Sequence, residues 1–256
     1  MVSERFLSHP QLSDEEARFL ARGRDLLTDV EAGKGPRVTH FCNPRELAFL
    51  LRDARAYSGV TFCVYGGFPD AERNVLCLNP WGIETPMGVD VLEIQGREDL
   101  EHRKILGSIL HLGLDRRMVG DIRLRGNCAQ IAVRETMTRF LEEQLTRVGG
   151  QFVATRIVPL EDIWQEPPPF RLETTTVSSL RIDAILAGAF HVSRRQIQEE
   201  IQKGNVHMDF RVPRTSSETV QLGSVLSLRR FGRVRLADIG SVTRKNRYRI
   251  TLEFPS

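Results

Sequence analysis

The 256-residue sequence is poor in the patterns that build disulfide frameworks and metal sites. Its cysteines are Cys42, Cys63, Cys77 and Cys128, and no two of them form a C-x-x-C pair. Three of the four stand in apolar stretches, where buried free thiols are common. His40 and Cys42 could share a metal, but no second pair stands at ligand spacing. The sequence therefore predicts no metal site and favours a reducing, cytoplasmic environment.

The chain also lacks a long apolar run. None approaches the roughly 18 residues that indicate a membrane-spanning helix. The first residues, MVSERFLSHPQLSDEE, carry early acids and no apolar signal core, so nothing there indicates export. With 41% apolar and 27% charged residues, the composition excludes collagen, coiled-coil and wholly disordered chains. We expect no membrane partner.

Nor is there a strong overall excess of one charge, since 36 Lys or Arg face 33 Asp or Glu. The two parts of the chain nevertheless differ. Residues 171–256 hold 15 basic against 8 acidic residues, a net charge of +7, and the remainder carries −4. Within 222–250 eight basic residues face a single acid, Asp238. Positive charge concentrated on a small module indicates a polyanionic partner, although a solvated basic face would give the same composition.

A chain of this length predicts two or three compact units. In residues 1–84, Ser13 and Glu16 form the sequence pattern of a capping box, and Asn43-Pro44 is typical of a helix start. Strand-like stretches follow at 60–65 and 75–78. We therefore expect a small N-terminal α/β unit over 1–84.

Residues 85–162 show a regular succession of elements. Strand-like 89–94 precedes a helix over 99–112, and the stretches 119–124 and 128–133 flank an Arg-Gly-Asn turn that predicts a hairpin. A helix over 135–148 and a strand over 152–160 complete the order β-α-β-β-α-β. This is the order of ferredoxin-like, RRM-like domains. The third strand has no aromatic residue, which argues against the usual base-stacking platform of such domains.

Three consecutive prolines interrupt the pattern in EDIWQEPPPFRLETTT, residues 161–176. Proline runs favour an extended spacer. We therefore predict a linker over 163–176 and a separate domain over 177–256, which makes the protein an α+β chain of three parts.

The last domain begins with two short helical patterns. Ser193 is placed to cap the second helix, which leaves Arg194 and Arg195 in its first turn. Cations there oppose the helix dipole. A phosphate partner would remove that conflict, because helix-start amides and arginines both favour anions.

This stretch resembles the S-four RNA-binding domain, of the αL type, over most of 178–233. The matching features are Arg181-x-Asp183-x-x-Leu186, Ser193-Arg194, Ile201-x-x-Gly204-x-Val206, the Gly223 turn and Arg229-x-x-Gly232. The resemblance implies that the helix pair and the adjoining turn face structured RNA. The RNA-contact candidates are Arg181, Ser193, Arg194, Arg195, Lys203 and Arg211, together with Arg229, Arg230 and Arg233 of the basic run.

Two positions depart from the S-four pattern. Asp209 and Ser224 stand where members of the family often have asparagine and aspartate. Asp209 adds negative charge near the expected surface. An alternative for Arg181 and Asp183 is that they mainly hold the helix pair together.

Nearly the whole chain is similar to the YlmH family. The matching stretches are Gly66-Gly-Phe-Pro-Asp-Ala-Glu-Arg73, Leu106-Gly107 with Gly120-Asp-Ile122, and the C-terminal position of the S-four domain. The resemblance implies a ribosome-associated protein that binds rRNA, tRNA or both on the large subunit, in some members during rescue of stalled subunits carrying peptidyl-tRNA. Glu72 and Arg73 either face RNA or form an internal ion pair.

Other functions remain open at this point. S-four domains also occur on RNA-modifying enzymes of the pseudouridine synthase and rRNA methyltransferase types. The segment Thr174–Asp183, which leads into the domain, is similar to photosystem-related S-four proteins, so a photosystem-related assembly factor is a further alternative. No catalytic constellation can be defended in the sequence. We therefore expect a non-enzymatic monomer with no cofactor and no small-molecule substrate.

Overall fold

The computed structural model describes residues 4–80 and 88–255. The chain divides into two compact units, Met1–Pro167 and Pro168–Ser256. The division falls inside the predicted linker. The predicted boundary between residues 84 and 85 lies outside the described residues, and the three-part division stays a prediction. Both units are mixed α/β with antiparallel sheets, in agreement with the predicted class.

The first unit has two sheets and a short hairpin. Its helices and strands, in chain order, are α1 (Asp14–Glu31), β1 (Arg37–Val38), α2 (Pro44–Ala54), β2 (Thr61–Tyr65), β3 (Val75–Asn79), β4 (Val89–Gln95), α3 (His102–His111), β5 (Val119–Arg125), β6 (Cys128–Arg134), α4 (Thr138–Gln144), β7 (Arg147–Val148), β8 (Gln151–Phe152) and β9 (Ala154–Ile157).

Helices α1 and α2 begin as the sequence predicts. The Ser13 side chain accepts from the Glu16 amide, and Asn43 accepts from the Glu46 amide; both starts are complete capping boxes. The two helices pack on one face of the antiparallel sheet β1-β3-β2. Gly23 of α1 lies against Leu50 of α2 so closely that a Cβ there would overlap the leucine Cδ2.

The second sheet of this unit has the order β5-β6-β4-β9, with antiparallel neighbours. Helices α3 and α4 cover one face through a core that includes Leu92, Ile105, Ile131 and Leu141. The order β-α-β-β-α-β is present, but the predicted helix over 135–148 is wrong at its end. Helix α4 stops at Gln144 because the following residues form the hairpin β7-β8 around Gly149-Gly150.

The other face of this sheet is largely covered from within the same unit. Phe41 and Phe68 pack on Val91 and Ala132 in one buried cluster. A Cβ on Gly120 of β5 would touch the Phe41 ring. The two sheets therefore share a hydrophobic core, which is why residues on both sides of the predicted boundary belong to one unit.

The second unit is a five-stranded sheet covered by a helix pair. Its elements are β10 (Phe170–Val177), α5 (Ile182–Phe190), α6 (Arg194–Gln202), β11 (Val206–Met208), β12 (Val225–Leu228), β13 (Gly232–Val242) and β14 (Tyr248–Pro255). The strand order is β10-β14-β13-β12-β11, antiparallel throughout. One hydrophobic core joins the helices to the sheet through side chains such as Ile185, Ile197, Leu236 and Leu252.

The structure corrects the predicted linker. Residues 170–176 are not a spacer, because they form most of β10 and pair with β14 from Phe170↔Pro255 to Val177↔Tyr248. The prolines 167–169 end before this strand, so every amide of β10 is available to the ladder.

Across residues 4–80 and 88–255, none of the helices combines the length and the apolar character that a bilayer crossing requires.

Gly23 and Gly107 both lie inside helices, and we expect their replacement by alanine to have opposite effects. Alanine is favoured over glycine in a helix interior by about 1 kcal/mol. At Gly107 an added Cβ meets nothing within 4 Å, so Gly107→Ala should raise the free energy of unfolding by about that amount. Gly23→Ala should lower it by about 1–3 kcal/mol, because the fully buried Leu50 must move. Urea unfolding measures the change in the free energy of unfolding for each variant. An increase for Gly23→Ala would contradict the close approach of α1 and α2.

Candidate nucleic-acid interface

The helix pair α5-α6 positions the predicted RNA-contact residues. Arg181 occupies the N-cap position of α5, and Ser193 caps α6 by accepting from the Gln196 amide at 3.1 Å. His191, with φ of 53°, ends α5 in the left-handed region and so turns the chain into α6. The starts of the two helices are thereby brought together.

The Asp183 carboxylate is the centre of this arrangement. It is fully buried. It accepts hydrogen bonds from Nε and Nη2 of Arg181 at 3.2 Å each, from Nη2 of Arg194 at 2.7 Å and from Nε2 of Gln198 at 3.2 Å. Burial alone would raise the pKa of Asp183, but the hydrogen bonds from Arg194, Arg181 and Gln198 outweigh it and hold the pKa below its usual value.

This contact answers the question of whether Arg181 and Asp183 hold the helix pair together. Arg181 comes before α5 and Arg194 begins α6, so the one carboxylate bridges both helices. The two arginine side chains remain 40% and 45% exposed. Two cations on one anion leave a net positive charge, and each guanidinium keeps donors that Asp183 does not use.

A second basic group lies at the other end of α6. Lys203 Nζ is 2.8 Å from Glu200, which Arg230 of the β12-β13 turn also approaches. Arg229 donates its amide to the Asn205 carbonyl at 2.9 Å, which ties the turn to the residues after α6. The Arg229 side chain makes no hydrogen bond or ion pair to another described residue. Glu200 forms an ion pair with Lys203 and accepts a hydrogen bond from Asn205 Nδ2 at 2.7 Å.

Arg195 is the most exposed of the predicted contacts. Its side chain is 88% exposed and lies 3.2 Å from Glu199, one turn further along α6. An ion pair so open to solvent has little energy, so a polyanion can compete for the arginine.

Two predicted contacts are placed differently. The Arg211 side chain is only 10% exposed and is 2.6 Å from Glu218. Because Glu218 also accepts from the Arg214 and Thr215 amides, Arg211 serves to hold this loop rather than to present a cation. Arg233 lies on β13 with its guanidinium 5.2 Å from the Phe210 ring centroid.

Asp209, the departure from the S-four pattern, is engaged within its own loop. Its carboxylate accepts from Ser224 Oγ at 2.9 Å and from the Val225 amide at 3.0 Å. Both departures from the S-four pattern thus contact each other. Asp209 fixes the turn before β12 instead of adding a free negative charge to the surface.

The Gly66–Arg73 motif is placed inside the first unit. Arg73 donates to the carbonyls of Val119 and Phe41 at 3.3 and 3.2 Å, and its own amide donates to Asp121 at 3.1 Å. The Arg73 side chain therefore binds main-chain oxygens of β5 and of the segment between β1 and α2. That Glu72 and Arg73 face RNA or form an internal ion pair stays a prediction. Burial, with Arg73 nearby, lowers the pKa of Arg116 to about 10, so it stays charged at neutral pH.

Cys42, which the sequence pairs with His40 as a possible but isolated set of metal ligands, lies inside the first unit. Cys42 is fully buried, donates from Sγ to the Asn74 carbonyl at 3.0 Å, and has a pKa raised by burial. A thiol in that state is a poor metal ligand and a poor nucleophile. No cluster of three or more candidate metal ligands occurs in the part of the chain that the structure describes.

Two functional features could not be read from the sequence alone. Gln198 completes the Asp183 site, and its only sequence signal is its position one helical turn after Arg194. On the outer face of the sheet, Arg235 pairs with Glu253 across β13 and β14, and Arg247 donates from Nε to Thr176 Oγ1 at 3.1 Å. These arginines of the basic run therefore belong to the sheet rather than to the helix-pair surface.

Comparisons with known proteins find similar sequences and one similar structure. Residues 88–162 match the family model described as "Putative RNA-binding domain in YlmH". The Bacillus subtilis (strain 168) protein named "Ribosome-associated protein quality control protein P2" is 29% identical over 245 residues, which cover 93% of this chain and 95% of that protein.

A solved structure is also similar. The "Cell division protein ylmH from Streptococcus pneumoniae" aligns with a TM-score of 0.51 and 26% identity, over 59% of this chain and 95% of that one. Together these matches confirm the resemblance to the YlmH family that the sequence motifs predict.

Replacing Asp183 tests the centre of the helix-pair site. We expect Asp183→Asn to lower the free energy of unfolding by about 2–4 kcal/mol, because two cations lose the anion that they share. Asp238→Asn, which changes an exposed acid of the same unit, should have little effect. Urea unfolding of the full chain measures the difference, and equal stability of the two variants would contradict a structural role for Asp183.

The difference in the free energy of unfolding between wild type and Asp183→Asn should depend on pH. The pKa of Asp183 is lowered in the folded state, so its contribution to stability is fully present above the unfolded value of about 3.9. It is lost as the pH falls through the folded pKa. The gap between wild type and Asp183→Asn should therefore shrink below about pH 4.

Proposed function

We propose, on the premise that this chain is YlmH-like over nearly its whole length, that it is a non-enzymatic RNA-binding protein of the ribosome. Its targets would be structured rRNA, tRNA or both, on the large subunit. The name of the Bacillus subtilis relative speaks of ribosome-associated quality control, and we extend that role to this chain, including stalled subunits that carry peptidyl-tRNA. Such a function places the protein in the cytoplasm.

The observation that carries this proposal is the arginine pair held on Asp183. Arg181 and Arg194 are fixed by one buried carboxylate, yet each is close to half exposed. Fixed guanidinium groups bind phosphate with little further loss of side-chain freedom, and their planar donors suit phosphate oxygens. Arg195 in the same turn adds a cation that is free to approach the backbone of an RNA helix.

The second unit also has the charge for this partner. Its net charge of about +7 over residues 171–256 contrasts with the acidic remainder. Two basic groups flank α6, and nine residues of helix span about 13 Å. Phosphate contacts at this spacing would position the protein on an RNA helix without reading its sequence.

We further propose that the middle domain is ferredoxin-like, from its strand order β5-β6-β4-β9 with both helices on one face. Its match to an RNA-binding family model supports a role in RNA binding. For the RNA-modifying alternative, mass mapping of rRNA in a deletion strain is the direct test. If an rRNA modification is absent from the deletion strain, the protein is an RNA-modifying enzyme and the non-enzymatic proposal is wrong.

The arginines of α6 provide the first test. We expect Arg194→Ala with Arg195→Ala to weaken binding to a ribosomal RNA hairpin by about 1–3 kcal/mol, because two phosphate contacts are lost. Fluorescence anisotropy at fixed salt measures the affinity. Arg195→Ala alone keeps the Asp183 contacts and should give part of the loss in a fully folded protein.

A matched control is available in the first unit. Arg18 and Arg22 are exposed on one face of α1, and changing both to alanine removes the same charge far along the sequence. This variant should bind the RNA hairpin as wild type does.

Glu199→Gln should bind the RNA hairpin at least as tightly as wild type, since it frees Arg195 from its ion-pair partner. Equal affinity of the α6 variant and wild type would exclude these arginines from the site.

Association with the ribosome should depend on salt. We expect the full chain to co-sediment with large ribosomal subunits at low ionic strength and to be released as the salt rises, because phosphate contacts release counterions. The α6 double variant should be released at lower salt than wild type. Association that is insensitive to salt would indicate a protein partner instead.

A further inference from the structure

The sheet of the middle domain is closed to RNA on the face that RRM-like domains use. Arg123 and Gln130 lie on that face, and both are buried. Arg123 donates to the carbonyls of Trp164 and Glu166 at 2.9 and 2.7 Å, and Gln130 exchanges hydrogen bonds with Asp162 and Trp164. If this domain contacts RNA, the contact must lie elsewhere on it.

The opposite side of the domain has an open cleft of about 500 Å³ between α3 and the hairpin β7-β8. Its polar lining includes the cationic or titratable side chains of Lys104, His111 and Arg147 and the hydroxyls of Ser108 and Thr146. None of the described residues that line it is acidic. Lys104 Nζ is 2.6 Å from Glu101, but both side chains are more than half exposed, so this pair is weak.

The hairpin presents an aromatic ring beside the cleft. Arg147 and Phe152 are cross-strand partners in β7 and β8, and the guanidinium carbon lies 4.0 Å from the ring centroid. Phe152 is nevertheless 60% exposed. A large ring left in solvent, with a cation on it, is a surface on which a base can stack.

The turn of the hairpin is shaped to meet α3. Gly149 has φ of +60°, and the Lys104 side chain runs over it so closely that a Cβ there would touch the lysine Cδ at 3.0 Å. The Gly149 amide donates to Ser108 Oγ at 3.3 Å. These contacts hold the hairpin β7-β8 against α3, with Lys104 and Arg147 lining the cleft and the Phe152 ring beside Arg147.

We propose that this cleft is a second RNA site, which takes a single-stranded segment. Lys104 and Arg147 contact its phosphates, and Phe152 stacks on a base. Duplex RNA does not expose a base face for such stacking, so the site differs in target from the helix-pair surface. The inference rests on the proposed RNA-binding function, and it adds an unpaired segment beside the structured RNA.

Ultraviolet crosslinking of the full chain to oligouridine, followed by peptide mass spectrometry, tests the site directly. We expect a uridine adduct on the segment 147–152 in wild type. Lys104→Glu with Arg147→Glu should reduce the adduct about tenfold or more, because two phosphate contacts become repulsive. Phe152→Leu keeps an apolar side chain at an exposed position and should reduce it to a similar extent by removing the stacking ring.

Two controls separate this inference from the proposed function. Arg18→Glu with Arg22→Glu makes the same charge change outside the cleft and should leave the adduct unchanged. Arg194→Ala with Arg195→Ala should keep the adduct while losing affinity for the RNA hairpin. If the double variant still binds the RNA hairpin as wild type does, the proposal for the helix-pair surface fails. The crosslinking yield on 147–152 then decides the cleft proposal independently.

The cleft proposal is overturned by any of three results. These are no adduct on 147–152 in wild type, an adduct that persists at full yield after both cleft cations are reversed, or an adduct that Phe152→Leu leaves unchanged. In the first case, loss of ribosome association in the cleft variant would assign the cleft to a protein contact instead. Thermal unfolding of each variant confirms that the comparison is made between folded proteins.

Discussion

One buried carboxylate organises the basic surface of the second unit. Asp183 lies out of solvent and binds Arg181, Arg194 and Gln198 at once. An isolated buried anion would be costly, and the two guanidinium groups remove that cost because they supply matched donors. The same bonds determine where the guanidinium groups point. The basic surface thus depends on a buried acid, and it keeps a net positive charge because one carboxylate binds two guanidinium groups.

Much of this architecture follows from local sequence signals. Ser13, Asn43 and Ser193 mark helix starts that the structure has at the same residues, because capping depends on a few neighbouring atoms. Strands with clear alternation were equally predictable. The hairpin β7-β8 and strand β10 were not, because a helical pattern runs up to Val148 and a proline run precedes β10. Their pairing partners decide their structure, and β14 lies some 70 residues further along the chain.

The site shows the same division between local and distant information. The arginines were found from charge and from the S-four pattern, but their roles depend on contacts across turns. Arg211 is nearly buried on Glu218, while Arg195 is open to solvent; the two are alike in sequence terms. Likewise the sequence leaves open whether Arg73 faces RNA or forms an internal ion pair, and it gives no sign that the Arg73 side chain binds the carbonyls of Val119 and Phe41. Which donors find acceptors is a tertiary property.

The sealed face of the middle sheet has a practical consequence for dividing the protein. Residues 88–162 correspond to a family model, which invites their excision as an autonomous fragment. Such a fragment would lose Phe41 and Phe68 from its covering layer and would leave Arg123 without the Trp164 and Glu166 carbonyls. It would then expose apolar side chains together with an orphaned cation, a combination that favours aggregation. A truncation at Pro167-Pro168 instead keeps Phe41, Phe68, Trp164 and Glu166 on the same fragment as the sheet that they cover.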